Sequence, residues 1–276
     1  MNIRGQWAMI TGGGGGIGAA MAIDLADRGA NLILTDLDEE ALERSAAAAR
    51  SRGAEVVCIV QDVSKRDQWT EIADELEADG RFPVLLINNA GVAAAGRAMD
   101  LSDESWQQVI DVDLWGVIHG CREFVPRFQA TDKQCAVLNV ASCSAYVGLP
   151  MGAPYFIAKA GVLRLTQTLQ SEIDPKDVSF TCLCPAFVET GIGRSAEQLG
   201  AGQREVLDRI VDLSRPRGRT PDQVASVAIR GVLSGRAVVN VYREAWVLEA
   251  VSRLMPHQML ARVSRQYFLW KFPEFA

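Results

Sequence analysis

The sequence predicts an α/β fold: a doubly wound parallel sheet of about seven strands with helices on both faces. Three observations predict it. Short apolar runs alternate with longer amphipathic stretches along most of the 276 residues. The runs are continuously apolar rather than alternating, as expected of strands covered by helices on both faces. A glycine cluster lies where the first run gives way to the first helix. Alternating strands and helices imply right-handed crossovers and hence a parallel sheet, with ligands beyond the carboxyl ends of the strands.

Element by element, strands are predicted at Trp7–Thr11, Asn31–Thr35, Glu55–Val60, Pro83–Asn88, Ala136–Ala141, Ser179–Cys184 and Ala237–Asn240. Helical patterns fall at Gly18–Arg28, Glu39–Arg52, Gln68–Ala78, Asp103–Phe128, Pro154–Ile173 and Pro221–Leu233. Residues 1–243 read as one dinucleotide-binding catalytic domain and 244–276 as a helical extension of it.

Composition narrows the function. Hydrophobic residues make up 49% and charged residues 22%, ordinary for a globular chain. A net charge of −6 leaves no basic excess to neutralise phosphates, so no nucleic-acid partner is expected. No apolar stretch approaches the roughly 18 residues of a spanning helix. Only Met1 to Gln6 precede the first apolar run, which leaves no room for a signal peptide. The six cysteines show no C-x-x-C spacing and only two histidines accompany them, so no metal is expected. Buried free thiols in a reducing cytoplasm fit.

The segment Thr11-Gly12-Gly13-Gly14-Gly15-Gly16-Ile17-Gly18 joins the first strand to the first helix. Glycine permits the tight turn and close backbone approach that a pyrophosphate needs, and the helix N-terminus offers free N–H groups to the anion. Asp36 ends the second strand 18 residues beyond Gly18, the spacing of a carboxylate that binds the adenosine ribose. Such a carboxylate repels a 2′-phosphate, and Leu37 beside it supplies no positive charge, so NAD is expected over NADP.

A second group comprises Ser142, Tyr155 and Lys159. Tyr155 and Lys159 stand one helical turn apart on a shared face. A phenol titrates at about 10 in water, and a neighbouring ammonium together with a positive nicotinamide ring is expected to draw it towards neutrality. Ser142 closes the fifth strand, where its hydroxyl can hold a substrate oxygen and stabilise developing negative charge.

With these motifs together, the chain resembles the short-chain dehydrogenase/reductase family in its form of about 250 residues, from roughly Ile3 to Asn240. The matching residues are Thr11-Gly12-x-x-x-Gly16-x-Gly18, Asp62-Val63, Asn88-Asn89-Ala90-Gly91, Ser142, Tyr155-x-x-x-Lys159 and Pro185-Ala186-Phe187-Val188-x-Thr190. The resemblance implies a Rossmann-like sheet and an oxidoreductase that moves a hydride between NAD(H) and a secondary alcohol or ketone. It implies that Asp62, next to Val63, contacts adenine, and that Asn89, Ala90 and Gly91 support the cofactor ribose and the sheet. Val188 and Thr190, after Pro185, would hold the carboxamide. Lys159 would bind the nicotinamide ribose and tune Tyr155, the general acid/base. Homodimers or homotetramers are implied too.

One position departs from the pattern. The family's fourth helix usually carries a catalytic Asn, and here Asp113 stands in its place. An ionised Asp is acceptor-only but still able to hold a relay water. Its charge would keep Lys159 protonated while opposing ionisation of Tyr155, and the sequence does not sign the sum. A working relay with an altered pH profile is the expectation.

Candidate substrate residues are Ser144, Val147, Met151, Phe187 and Ile192, mostly apolar, favouring an apolar or aromatic substrate; each is equally an ordinary packing position. Residues 190–218 resemble a lid. Beyond Tyr242, apolar residues recur at helical spacing on either side of Pro256, with Arg253, Arg262, Arg265 and Lys271 among them. Three readings stay open there: packing over the lid or a neighbouring subunit, a substrate entrance, and contact with a membrane surface. Two further functions also stay open: a dinucleotide-binding regulatory or scaffold protein with weakened catalysis, and a same-fold epimerase or dehydratase.

Overall fold

A computed structural model describes residues 1–186, 188, 220–241 and 243–271. Its strands are β1 (Trp7–Thr11), β2 (Asn31–Asp36), β3 (Val56–Val60), β4 (Leu85–Asn88), β5 (Cys135–Val140), β6 (Val178–Cys184) and β7 (Val238–Asn240). They form one parallel sheet in the order β3-β2-β1-β4-β5-β6-β7. The order reverses between β1 and β4, which places the ligand crevice beyond their carboxyl ends. Burial explains the continuous apolar runs: all six residues of β5 and all four of β4 are buried.

Helices α1 (Gly16–Asp27), α2 (Glu39–Arg50), α3 (Arg66–Ala78), α4 (Asp103–Ile110), α5 (Gly116–Gln129), α6 (Ala153–Glu172) and α7 (Pro221–Leu233) cover the sheet. Local chemistry starts several of them. Asp38, Ser102 and Thr220 each accept a backbone N–H from the first turn of α2, α4 and α7. Beside the sheet, Phe82 stacks on Phe124 at 5.3 Å between ring centroids, with Trp69 and Phe128 edge-on to Phe124. Arg127 bridges Asp74, Glu77 and Glu123, tying α5 to α3.

The sequence predicts one helix over Asp103–Phe128; the structure corrects this. Between α4 and α5 the helix widens into a π-helical turn at Asp111–Trp115. Such bulges shift the register of side chains and cluster at functional sites. This one turns Asp113 inwards to zero exposure. A second difference is at α1, which starts at Gly16 rather than Gly18.

The extension forms α8 (Arg243–Leu254) and α9 (His257–Lys271), with Pro256 between them. Ala245, Ser264 and Phe268 are buried and seat the pair. Among the described residues no helix is long and apolar enough to cross a membrane, and no group of three metal-ligating side chains is assembled.

Candidate active site

The glycine loop is shaped by its lack of side chains. Gly12 and Gly16 have φ of +65° and +56°, which other residues rarely adopt. A Cβ on Gly18 would run into the Gly12 carbonyl and the Asn89 amide. Gly14 lies so close to β2 that a Cβ would meet the Asp36 carboxylate at 2.9 Å. The first turn of α1 has neither a side-chain cap nor an acidic residue, so its N–H groups remain open to an anion. Ile17 is half-buried there against the core.

Asn89 clamps this loop from β4. Its Nδ2 donates to the carbonyls of Thr11 and Gly12 at 2.9 and 3.1 Å. The Thr11 hydroxyl accepts the N–H groups of Asn89 and Ala90, both at 3.0 Å. Asp36 is held in turn by backbone: Gly14 donates to Oδ2 at 3.0 Å, and Leu37 and Asp38 donate to Oδ1 at 2.8 and 3.3 Å. Leu37 itself is exposed. Asp62 accepts the N–H and hydroxyl of Ser64. Val63 is a core residue, buried against Gly116. Gln61 beside them is buried with neither amide atom partnered among the described residues. An uncapped helix N-terminus, a Cβ-free turn and a braced carboxylate together fit an adenine dinucleotide.

Beyond β5 the chemistry moves to side chains. Ser142 is buried in extended backbone and caps a short 3₁₀ turn at Cys143–Ala145 by accepting Ser144 N–H at 3.2 Å. The pairing of β5 with β6 runs on past the strand ends, with Cys143 N–H donating to the Pro185 carbonyl at 2.8 Å, which fixes where Ser142 stands. Tyr155 and Lys159 rise from α6. The Lys159 ammonium lies 5.6 Å from the Tyr155 ring centre and donates to the Val140 carbonyl at 3.2 Å.

Asp113 reaches the same point. Its Oδ2 lies 3.0 Å from Lys159 Nζ, and its Oδ1 accepts the Val92 N–H at 2.7 Å. Both charged groups are withdrawn from solvent. Gly91 runs against them, and a Cβ there would come within 3.1 Å of Asp113 and 3.3 Å of Lys159. Burial alone would discharge the ammonium; the facing carboxylate overrides it and holds Lys159 above its ordinary value. Burial raises Asp113 as well, against the pull of Lys159 and the Val92 N–H.

At Tyr155 the expected pull of the ammonium is present but outweighed among the protein's own groups. The ammonium does not draw the phenol below its ordinary value; the phenol stands above it. Burial is the largest cause and the Asp113 carboxylate adds to it, while Lys159 and the Ser142 hydroxyl act the other way. The same dry setting that strengthens Lys159 also penalises the phenolate, and Asp113 cancels much of the cation's charge. Asp113 is engaged on both oxygens, with Oδ2 facing the ammonium and Oδ1 accepting from Val92.

The structure therefore brings Asp113, Ser142, Tyr155 and Lys159 to one place, beside Gly91 and across from the glycine loop. Among the substrate candidates, Val147 is buried in packing, Ser144 is half-buried with its hydroxyl unpartnered among the described residues, and Met151 has φ of +74°, strained for a side chain of its size. Val188 is partly buried on the core. Phe187, Thr190, Ile192 and the expected lid lie outside the described residues. Sequence reasoning missed three contributors. The Val92 N–H and the Val140 carbonyl are backbone groups, with no side chain to announce them. Tyr146 hydrogen-bonds Asn240 at 3.1 Å, which bonds Glu249 of α8 at 2.6 Å, and these partners are far apart in the chain.

A crevice that combines a nucleotide loop with a buried Ser and Lys and a half-buried Tyr defines a dinucleotide-dependent dehydrogenase fold. The family model of short chain dehydrogenases matches residues 6–199, and the chain belongs to that family of oxidoreductases. Galactitol 2-dehydrogenase of Rhizobium johnstonii is 33% identical over 249 residues, covering 87% of this chain and 94% of that protein. Probable oxidoreductase EphD of Mycobacterium tuberculosis is 31% identical over 91% of this chain, but this chain spans only 43% of its length. Among solved structures, a short-chain dehydrogenase/reductase from Burkholderia phymatum in complex with NAD superposes with a TM-score of 0.84 at 32% identity, covering 92% of this chain and 94% of that one. A short-chain dehydrogenase from Sphingobium yanoikuyae in complex with NADPH gives 0.75 at 26% identity, covering 90% and 93%.

Proposed function

We propose that the chain interconverts a secondary alcohol and a ketone with NAD(H) as the redox partner, and that its substrate is apolar or aromatic around the reacting carbon. The observation that carries this is the cluster of buried Ser142, Lys159 and Asp113 with half-buried Tyr155, facing the loop where a dinucleotide fits. The nicotinamide, when bound, supplies the carbon that takes or gives the hydride. Ser142 donates to the substrate oxygen and fixes its position. Tyr155 passes the proton: to the ketone oxygen in reduction, from the alcohol in oxidation. Lys159, held charged by Asp113, steadies the phenolate that reduction leaves behind.

The raised phenol gives this cycle a direction of ease. A phenol that keeps its proton at neutral pH is ready to act as an acid, so ketone reduction needs no prior ionisation. Oxidation must wait for the phenolate and belongs to alkaline pH. NAD is the preferred dinucleotide in this reading because Asp36 turns a carboxylate towards the ribose end of the loop, where a 2′-phosphate would meet its charge.

The test is steady-state turnover with NAD and NADP against a panel of aryl and alkyl secondary alcohols and their ketones. Turnover of several apolar pairs with NAD, and a poor rate with polyols, is expected. Tight NAD binding without turnover of any pair would instead assign the chain a dinucleotide-binding regulatory role.

A further inference from the structure

The last two helices carry a surface that the catalytic cycle does not use. Among the described residues twelve large hydrophobic side chains are exposed, and seven of them lie between Trp246 and Trp270. On α9, Met259, Val263, Tyr267 and Trp270 follow at spacings of four, four and three, which places them on one stripe. Leu260, Ser264 and Phe268 form the neighbouring stripe that faces the protein. On α8, Trp246, Val247 and Leu254 are exposed together with Arg243 and Arg253. Exposed apolar side chains gathered along a helix face in this way mark an interaction site.

Charge identifies the occupant. The two helices hold Arg243, Arg253, Arg262, Arg265 and Lys271 against Glu244 and Glu249, both on α8, so α9 has basic residues and no acidic one, in a chain whose net charge is −6. We infer that the outer face of α8 and α9 docks on an anionic lipid surface, lying in the plane of the headgroups. The apolar stripe enters the acyl boundary, the tryptophans and Tyr267 sit at headgroup depth, and Arg262 and Arg265 reach to the phosphates, Arg253 being paired with Glu249 at 2.7 Å. A second copy of the chain is the poorer occupant, because symmetric pairing through this face would set basic helix against basic helix.

The α8 end of the docking face is tied to the active-site loop. Glu249 on α8 accepts Asn240 Nδ2 at 2.6 Å, and Asn240 accepts the hydroxyl of Tyr146 in the loop that begins at Ser142. Ala245 is fully buried beneath the helix. A protein lying on lipid through α8 and α9 thus holds the bilayer next to the helix that bonds its active-site loop, a placement suited to substrates that partition into lipid. The proposal is independent of the NAD and alcohol reading, since it needs no turnover to test.

The experiment is co-sedimentation of the full chain with vesicles of phosphatidylcholine alone and of phosphatidylcholine containing phosphatidylglycerol. Binding to the anionic vesicles only, released by high salt, is expected. The double variant Arg262→Glu/Arg265→Glu should weaken it by roughly 20-fold or more, since each basic residue near such a surface contributes about a factor of five. Met259→Ser/Trp270→Ser should weaken it at unchanged charge, and circular dichroism of both variants should match the parent. Absence of binding to anionic vesicles, or equal binding to both compositions, overturns the proposal. So does a serine variant that splits an oligomer on gel filtration while leaving sedimentation unaltered, because the face would then join copies of the chain.

Discussion

The two halves of the crevice are built from opposite materials. The β1–β2 side recognises through backbone: open N–H groups at α1, glycines with no Cβ, and an Asp36 carboxylate held by three N–H donors. The β5–α6 side acts through buried side-chain charge, with Lys159 and Asp113 paired at 3.0 Å away from water. Backbone recognition is insensitive to pH and intolerant of added atoms. Buried charge is the reverse: its space is tolerant of isosteric change, and its chemistry depends on every neighbouring proton. The halves should therefore fail differently when altered.

The largest difference lies in Tyr155→Phe. Removing the proton carrier should cut kcat/KM by about 10⁴-fold, the upper range for general acid/base catalysis, while NAD affinity measured by calorimetry stays within a few-fold of the parent. A comparable loss of affinity would mean that the two halves are not separable.

Next comes Lys159→Met. It leaves Asp113 buried without its counter-charge, and breaking such a pair costs about 3–5 kcal/mol. Urea unfolding should report this loss, and Lys159→Met/Asp113→Leu should recover most of it without recovering turnover. If the double variant is no more stable than the single one, the pair is not what makes the single change costly. On the other half, Asp36→Ala should move the NAD-to-NADP ratio of kcat/KM towards NADP by about 10- to 100-fold, as one buried or repelled charge warrants. The ratio is read directly from initial rates, and an unchanged ratio would remove Asp36 from cofactor choice.

The same contrast explains what the sequence made legible. The parallel sheet of seven strands, strand limits within two residues for most elements, the glycine loop and the Ser142, Tyr155, Lys159 grouping all follow from local pattern, because apolar runs, glycines and one-turn spacings are local facts. Two features escaped it. The π-helical turn at Asp111–Trp115 has no distinct periodicity, since five residues of wider helix are indistinguishable from an α-helix in hydrophobic pattern. The sign of the Tyr155 shift also escaped it, because burial depends on what α6, β5 and the Gly91 turn pack together, and none of that is encoded at Tyr155 itself. Spacing placed an ammonium next to the phenol and Asp113 announced an opposing carboxylate; what neither could weigh was the desolvation that decides the sum.

Asp113→Asn probes that offset with the smallest expected effect. The parent carboxylate raises Tyr155, so its removal should lower the phenol and carry the alkaline limb of alcohol oxidation to lower pH, by about one unit for a neighbouring charge in a dry site. The substitution also strips Lys159 of the partner that overrides its burial. Were the ammonium to discharge first, Tyr155 would lose its only nearby cation among the described residues and the limb would move upwards instead. The Val140 carbonyl still receives Lys159 at 3.2 Å and favours the charged form, which is why the downward shift is expected. A profile of kcat/KM against pH for both proteins, with the same alcohol and saturating NAD, separates these signs. Coincident curves would show that Asp113 supports the fold of the site without tuning its proton.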